Sequence, residues 1–212
     1  MNTRKQKGGL LYKNLRHSAK KYNKRSKAAA GRGCIPNRVD IEKRPAIVDE
    51  KKRLGDWELD TIIGKEHKGA IVSIVDRASK LTKLVKVEQK TAEEVEKAIL
   101  KRLEAIKDLV FTLTADNGKE FASHQSIAKA LDAEFYFAKS YHSWQRGLNE
   151  HTNGLVRQYL PKSVSFTKVT EDDLDRLEEL LNNRPRKVLG FMTPIEVFYL
   201  LSKQSPLVAL RT

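Results

Sequence analysis

The 212-residue chain has one cysteine, Cys34, so it cannot close an internal disulfide, and no Cys/His pair has zinc-ligand spacing. It has no apolar run near the roughly 20 residues that cross a bilayer. Its N-terminus is basic but lacks the apolar stretch of a signal peptide. These absences argue against a membrane-spanning, exported or disulfide-stabilised protein, and a cytoplasmic location is expected. Residues 1–39 contain no acid at all, against 12 lysines and arginines. Such a segment repels itself and seeks polyanions, nucleic acid phosphate first among them. The competing reading is a solvated basic tail; the nucleic-acid reading adds an association with the nucleoid. No internal repeat is present.

What the chain does have is a formal charge of +14, unevenly spread. Residues 1–53 hold 17 basic and 4 acidic side chains, a balance of +13, and residues 54–212 hold 24 and 23, a balance of +1. Residues 1–52 therefore read as a basic, partly disordered arm or linker, with a short helix within 13–30. Residues 53–200 read as a folded core, and 201–212 as a tail.

Within the core, "WELDTIIG", "AIVSIVDR" and "LTKLVKV" are strand-like runs joined by short polar connections, the pattern of an antiparallel meander. In "TAEEVEKAILKRLEAI", Thr91 and Glu94 have capping-box spacing, and Val95, Ala98, Ile99, Leu103 and Ile106 form one apolar stripe. A strand over 110–114 follows, then a short helix in "HQSIAKAL", a strand in "EFYFA", and helices over 146–159 and 170–182. "TPIEVFYLL" reads as a last helix with Pro194 in its first turn. The order β-β-β-α-β-α-β-α-α-α predicts an α/β fold: a mixed five-stranded sheet flanked by helices on both faces.

Three acids fall at informative points of that order. Asp60 lies in the first strand, Asp116 just past the fourth, and Glu150 in the helix after the fifth. If the first and fourth strands are neighbours, the two aspartates end close together, and a helix crossing that edge brings Glu150 to both. Carboxylate oxygens suit hard divalent cations, and a pair of such ions suits in-line displacement at phosphorus. Spacing alone leaves rivals in place, because the chain has 27 acids. Asp56 and Glu58 share a strand face with Asp60, and Glu120 and Asp76 are further candidates. Asp76 reads as a strand-end residue paired with Arg77.

Four blocks, "GDWELDTIIG", "TADNGKEF", "YHSWQRGLNEHTNGLVRQYLPK" and "LNNRPRKVLGFMTP", occur in that order. With them the stretch from about residue 38 to 198 resembles the catalytic region of bacterial DDE transposases of the insertion sequence thirty family. The resemblance implies a ribonuclease-H-like fold shared with retroviral integrases, and metal-dependent phosphodiester hydrolysis and strand transfer of an insertion sequence. It assigns Asp60, Asp116 and Glu150 as the catalytic and metal-binding triad, with 33 residues between the last two. It implies Mg²⁺ or Mn²⁺, two ions when DNA is bound, and double-stranded DNA (element ends and target) as partner of a homo-oligomer. The alternative is a truncated, non-catalytic remnant that binds DNA or a full-length transposase.

Further DNA contacts are expected on the same basis. Arg157 lies seven residues after Glu150 on the same helical face, Asn117 follows Asp116, and Asn149 and Asn153 flank Glu150. Arg184, Arg186 and Lys187 form a basic cluster, and Lys20, Lys21 and Arg25 lie in the arm. Trp57 and Trp144 read as packing residues and His142 as a loop histidine. Two departures stand out. The family commonly has N-E-N where this chain has Asn149-Glu150-His151. Family members also carry an N-terminal helix-turn-helix region, which the residues before Lys13 cannot build, so a truncated copy, one half of a split reading frame or a partial sequence is expected.

Overall fold

A computed structural model of the chain describes residues 35–139 and 147–204. Its centre is a five-stranded sheet: β1 (Asp56–Ile63), β2 (Ala70–Asp76), β3 (Thr82–Val87), β4 (Thr112–Ala115) and β5 (Glu134–Phe137), in the order β3-β2-β1-β4-β5. β1, β2 and β3 form the expected antiparallel meander, and β4 and β5 add in parallel on the far side of β1. The helices are α1 (Ile47–Glu50), α2 (Ala92–Leu103), α3 (His124–Leu131), α4 (Gly147–Tyr159), α5 (Glu171–Asn182) and α6 (Pro194–Gln204).

Strand alternation divides the core in two. Trp57, Leu59, Val72, Ile74 and Leu113 pack on one face against Val95, Ile99 and Leu103 of α2 and Ile127 and Leu131 of α3. Ile62, Ile71 and Leu84 pack on the other face against Leu155 and Val156 of α4 and Leu174, Leu177 and Leu181 of α5. Every residue of β2 is buried, as its nearly continuous apolar run requires. Trp57 is fully buried and its Nε1 donates to the Leu109 carbonyl at 3.1 Å, so the expected packing role holds.

Two local differences from expectation have clear causes. Thr91 Oγ1 accepts from Glu94 N at 3.3 Å, but the Glu94 carboxylate accepts from Gln89 N at 2.8 Å, leaving half a capping box. The reciprocal box forms at α5 between Thr170 and Asp173. The folded region also begins before residue 53. Ile35, Ile41 and Val48 are buried, Phe137 N donates to Val39 O at 2.8 Å, and Asp40 bridges to Phe137 at the β5 edge. The chain divides into compact units at Gly33/Cys34. Single apolar anchors scattered among lysines and arginines have no periodicity, so composition hides them. The helix expected within 13–30 lies outside the described residues.

Candidate active site

The parallel pairing of β1 with β4 runs Asp56–Thr112, Trp57–Leu113 and Glu58–Thr114. Carried two residues further, that register sets Asp60 level with Asp116 on the same face. β1 itself continues as a partner of β2 as far as Ile63 opposite Ala70. That face is covered by α4, which runs along β1 in four-residue steps. Asn149 N donates to Glu58 Oε2 at 3.3 Å, Asn153 Nδ2 to Asp60 Oδ2 at 2.8 Å, and Arg157 Nη2 to Ile63 O at 2.6 Å.

Each aspartate is oriented by its surroundings. Asp60 Oδ1 accepts from Thr61 N at 2.9 Å. The Asn153 amide that holds Oδ2 is itself turned by Ser73 Oγ, which donates to Asn153 Oδ1 at 2.9 Å. Asp116 Oδ1 accepts from Gly118 N at 2.9 Å. Asn117 ties this turn to its neighbours, accepting from Arg38 Nη1 and donating to Ala138 O, both at 2.6 Å. Glu150 is exposed on α4, on the flank that also carries Arg157. Among the described residues no three His, Cys, Asp or Glu side chains lie together closely enough to hold a metal ion.

The rival acids are engaged elsewhere. Asp56 takes Arg53 Nη2 at 2.7 Å and Thr112 Oγ1 at 2.8 Å. Glu58 forms a buried ion pair with Arg77, whose Nε reaches Val48 O at 3.1 Å. Glu120 points to the opposite face, where it accepts from Thr61 Oγ1 at 2.9 Å and pairs with Lys90 at 2.6 Å. The pairing of Asp76 with Arg77 is not observed. Asp76 instead accepts from Gly55 N, Ala78 N, Ser79 N and Ser79 Oγ, closing the β2–β3 turn. Burial pushes its carboxyl up to about 6, against the pull of those donors.

No protein-family model matches the chain. It is 52% identical over 201 residues to the transposase of insertion sequence element IS4351 from Bacteroides fragilis, covering 95% of this chain and 62% of that protein. It is 35% identical over 195 residues to the transposase InsI of IS30A from Escherichia coli K12, covering 89% and 51%. Both relatives are transposases of bacterial insertion sequences, and the similarity runs over most of this chain. The chain spans 62% and 51% of the length of these two relatives. The fold is that of integrase catalytic cores, which is ribonuclease-H-like. The BIV integrase core superposes with a TM-score of 0.53 at 23% identity, covering 71% of this chain and 96% of that one. An integrase intasome of simian T-cell lymphotropic virus, bound to a PP2A regulatory subunit, gives 0.58 at 19% identity, covering 69% and 55%.

The fold brings two of the expected DNA contacts, Asn153 and Arg157, to one cleft. A space of about 620 Å³ beside Thr61 is lined by Lys65, Glu66, His67, Asn153, Arg157 and Lys162. Arg157 is half-buried there, its guanidinium 5.5 Å from the Phe166 ring centre, and burial lowers its pKa. Asn153 uses both ends of its amide within the protein. Asn149 is completely buried, and neither of its amide atoms has a hydrogen-bond partner among the described residues, so it offers no surface to DNA in this structure. Arg184 and Lys187 are exposed, whereas Arg186 Nη2 caps α5 through Leu181 O at 2.8 Å. Lys20, Lys21, Arg25, His142 and Trp144 lie outside the described residues. Sequence reasoning missed Thr61 and Ser73 as supports of Asp60. Both are small polar residues in apolar runs, and only strand register reveals what they touch.

Proposed function

We propose that this chain carries the catalytic core of a DNA transposase that cuts phosphodiester bonds at element ends and joins the freed 3′-hydroxyls to target DNA. The observation that carries the reading is the parallel pairing of β1 with β4 up to Glu58–Thr114, two residues before Asp60 and Asp116, beneath the helix that bears Glu150. An all-carboxylate donor set on that face fits a hard divalent cation. Asp60, Asp116 and Glu150 would hold Mg²⁺ or Mn²⁺, two ions with DNA bound, supplying Lewis acidity to the attacking and leaving oxygens.

The chain's own groups prepare this face. The Thr61 N–H and the Asn153 amide hold the Asp60 carboxylate, and the Gly118 N–H holds that of Asp116. Lys65, Lys162 and Arg157 line a cleft next to Thr61 and Asn153 that suits phosphate oxygens. A homo-oligomer acting on paired DNA ends, at the nucleoid, completes the reading. No described helix is long and apolar enough to cross a membrane.

The test is nicking of supercoiled plasmid with Mg²⁺ or Mn²⁺. Asp116→Asn and Glu150→Gln are expected to lose about a hundredfold or more in rate, a few kcal/mol of barrier, while retaining DNA binding. A native chain that binds DNA but leaves phosphodiesters intact overturns the reading.

A further inference from the structure

The backbone ladder between β1 and β4 stops at Glu58–Thr114, two residues short of either aspartate. Beyond it, a side-chain bridge spans the gap on the face away from α4. Thr61, whose N–H holds Asp60 Oδ1, donates its Oγ1 proton to Glu120 Oε1 at 2.9 Å. Glu120 is only 5% exposed, and its charge is met by Lys90 at 2.6 Å. The same carboxylate lies beside Gly118, so closely that a Cβ there would overlap it. Gly118 N in turn holds Asp116 Oδ1. The connection runs by hydrogen bonds from Asp60 through Thr61 to Glu120, by close packing from Glu120 to Gly118, and by a hydrogen bond from Gly118 to Asp116.

We infer that Glu120 is a positioning residue: a third carboxylate, itself no metal ligand, that sets the separation of Asp60 and Asp116 so that both can reach a shared divalent cation. The inference rests on the metal-binding reading of those aspartates. A buried carboxylate is a costly way to fill space. Here its Oε1 meets both a hydroxyl and an ammonium while the carboxylate packs beside Gly118, a task an apolar side chain cannot perform. The glycine follows from the same geometry, since only a residue without a Cβ lets the carboxylate lie against the turn.

The test is Mn²⁺ binding to the full 212-residue chain, followed by electron paramagnetic resonance at a temperature where near-UV circular dichroism shows each variant folded. Thr61→Val removes the hydroxyl at nearly constant volume, and Glu120→Ala removes the carboxylate. Each is expected to weaken Mn²⁺ binding about tenfold or more, the usual effect of losing a support behind a metal ligand. The double variant is expected to bind no more weakly than either alone, because both break one bridge. Glu120→Gln keeps an acceptor for Thr61 and is expected to recover most of the affinity. If Asp116→Asn abolishes Mn²⁺ binding while Thr61→Val and Glu120→Ala leave it unchanged, the positioning role is overturned and the metal site stands. If Asp116→Asn itself leaves binding unchanged, the metal reading falls and the inference falls with it.

Discussion

Glu58 and Asp60 lie two residues apart on one face of β1, and their partners give them different tasks. Glu58 is 1% exposed and faces Arg77 in a buried ion pair, which also ties in Asp49 of α1. A pair of this kind contributes little net stability, but losing one member leaves a buried charge, so it fixes geometry. Asp60 instead accepts from a backbone N–H and an amide. Asp76 shows a third outcome, a carboxyl that closes a turn at the cost of burial. Its folded pKa, about 6, lies above the ordinary value of 3.8. Its contribution to stability is therefore fully present below about pH 4 and is lost as the pH rises through 6. Comparing urea midpoints of the native chain and Asp76→Asn, the lead of the native chain is expected to be larger at pH 4 than at pH 7. A lead that grows with pH would contradict the assigned direction.

At the scale of elements, legibility followed periodicity. The helix expected over 146–159 is observed as Gly147–Tyr159, and the one over 170–182 as Glu171–Asn182, because each has an apolar stripe that only one face of a helix can bury. The strand before Asp116 is shorter than its apolar run, Thr112–Ala115, because Val110 serves as the exit of the preceding 3₁₀ segment. The resemblance chose Asp60 over Asp56 and Glu58 where alternation could not, and the arginines that meet the other two account for the difference. Capping was half legible. Thr91 and Thr170 have the same spacing to an acid three residues on, yet only Thr170 forms the reciprocal pair. Thr170→Ala is expected to cost about 1 kcal/mol, and Thr91→Ala less, since the Thr91 hydroxyl makes one cap hydrogen bond, at 3.3 Å, where that of Thr170 makes two. Equal losses in denaturant titrations would show that the second half of the box contributes nothing.

For the molecule as a whole, the structure changes where the basic arm must be cut. Charge alone groups residues 1–39, but Ile35 is 4% exposed and Val39 O accepts from Phe137 N on the edge strand. Arg38 also reaches Asn117, beside Asp116, so the last residues of the acid-free segment belong to the folded core and to the surroundings of the candidate site. Residues 1–33 still contain 11 of the 12 basic side chains. Deleting 1–33 is therefore the informative experiment. If the arm binds DNA, log K against log salt should lose a slope of about 0.9 for each phosphate contact removed. A change of several units measured by fluorescence anisotropy is expected, and an unchanged slope would remove the arm from the DNA footprint. Deleting 1–39 strips the Ile35 anchor as well. That longer deletion is expected to be less stable than the shorter by roughly 1.5–3 kcal/mol, the value of burying one large aliphatic side chain, and to release Asn117 from Arg38. A loss of nicking in the longer deletion alone would then report disturbance of the Asp116 turn, and a loss in both would report the arm.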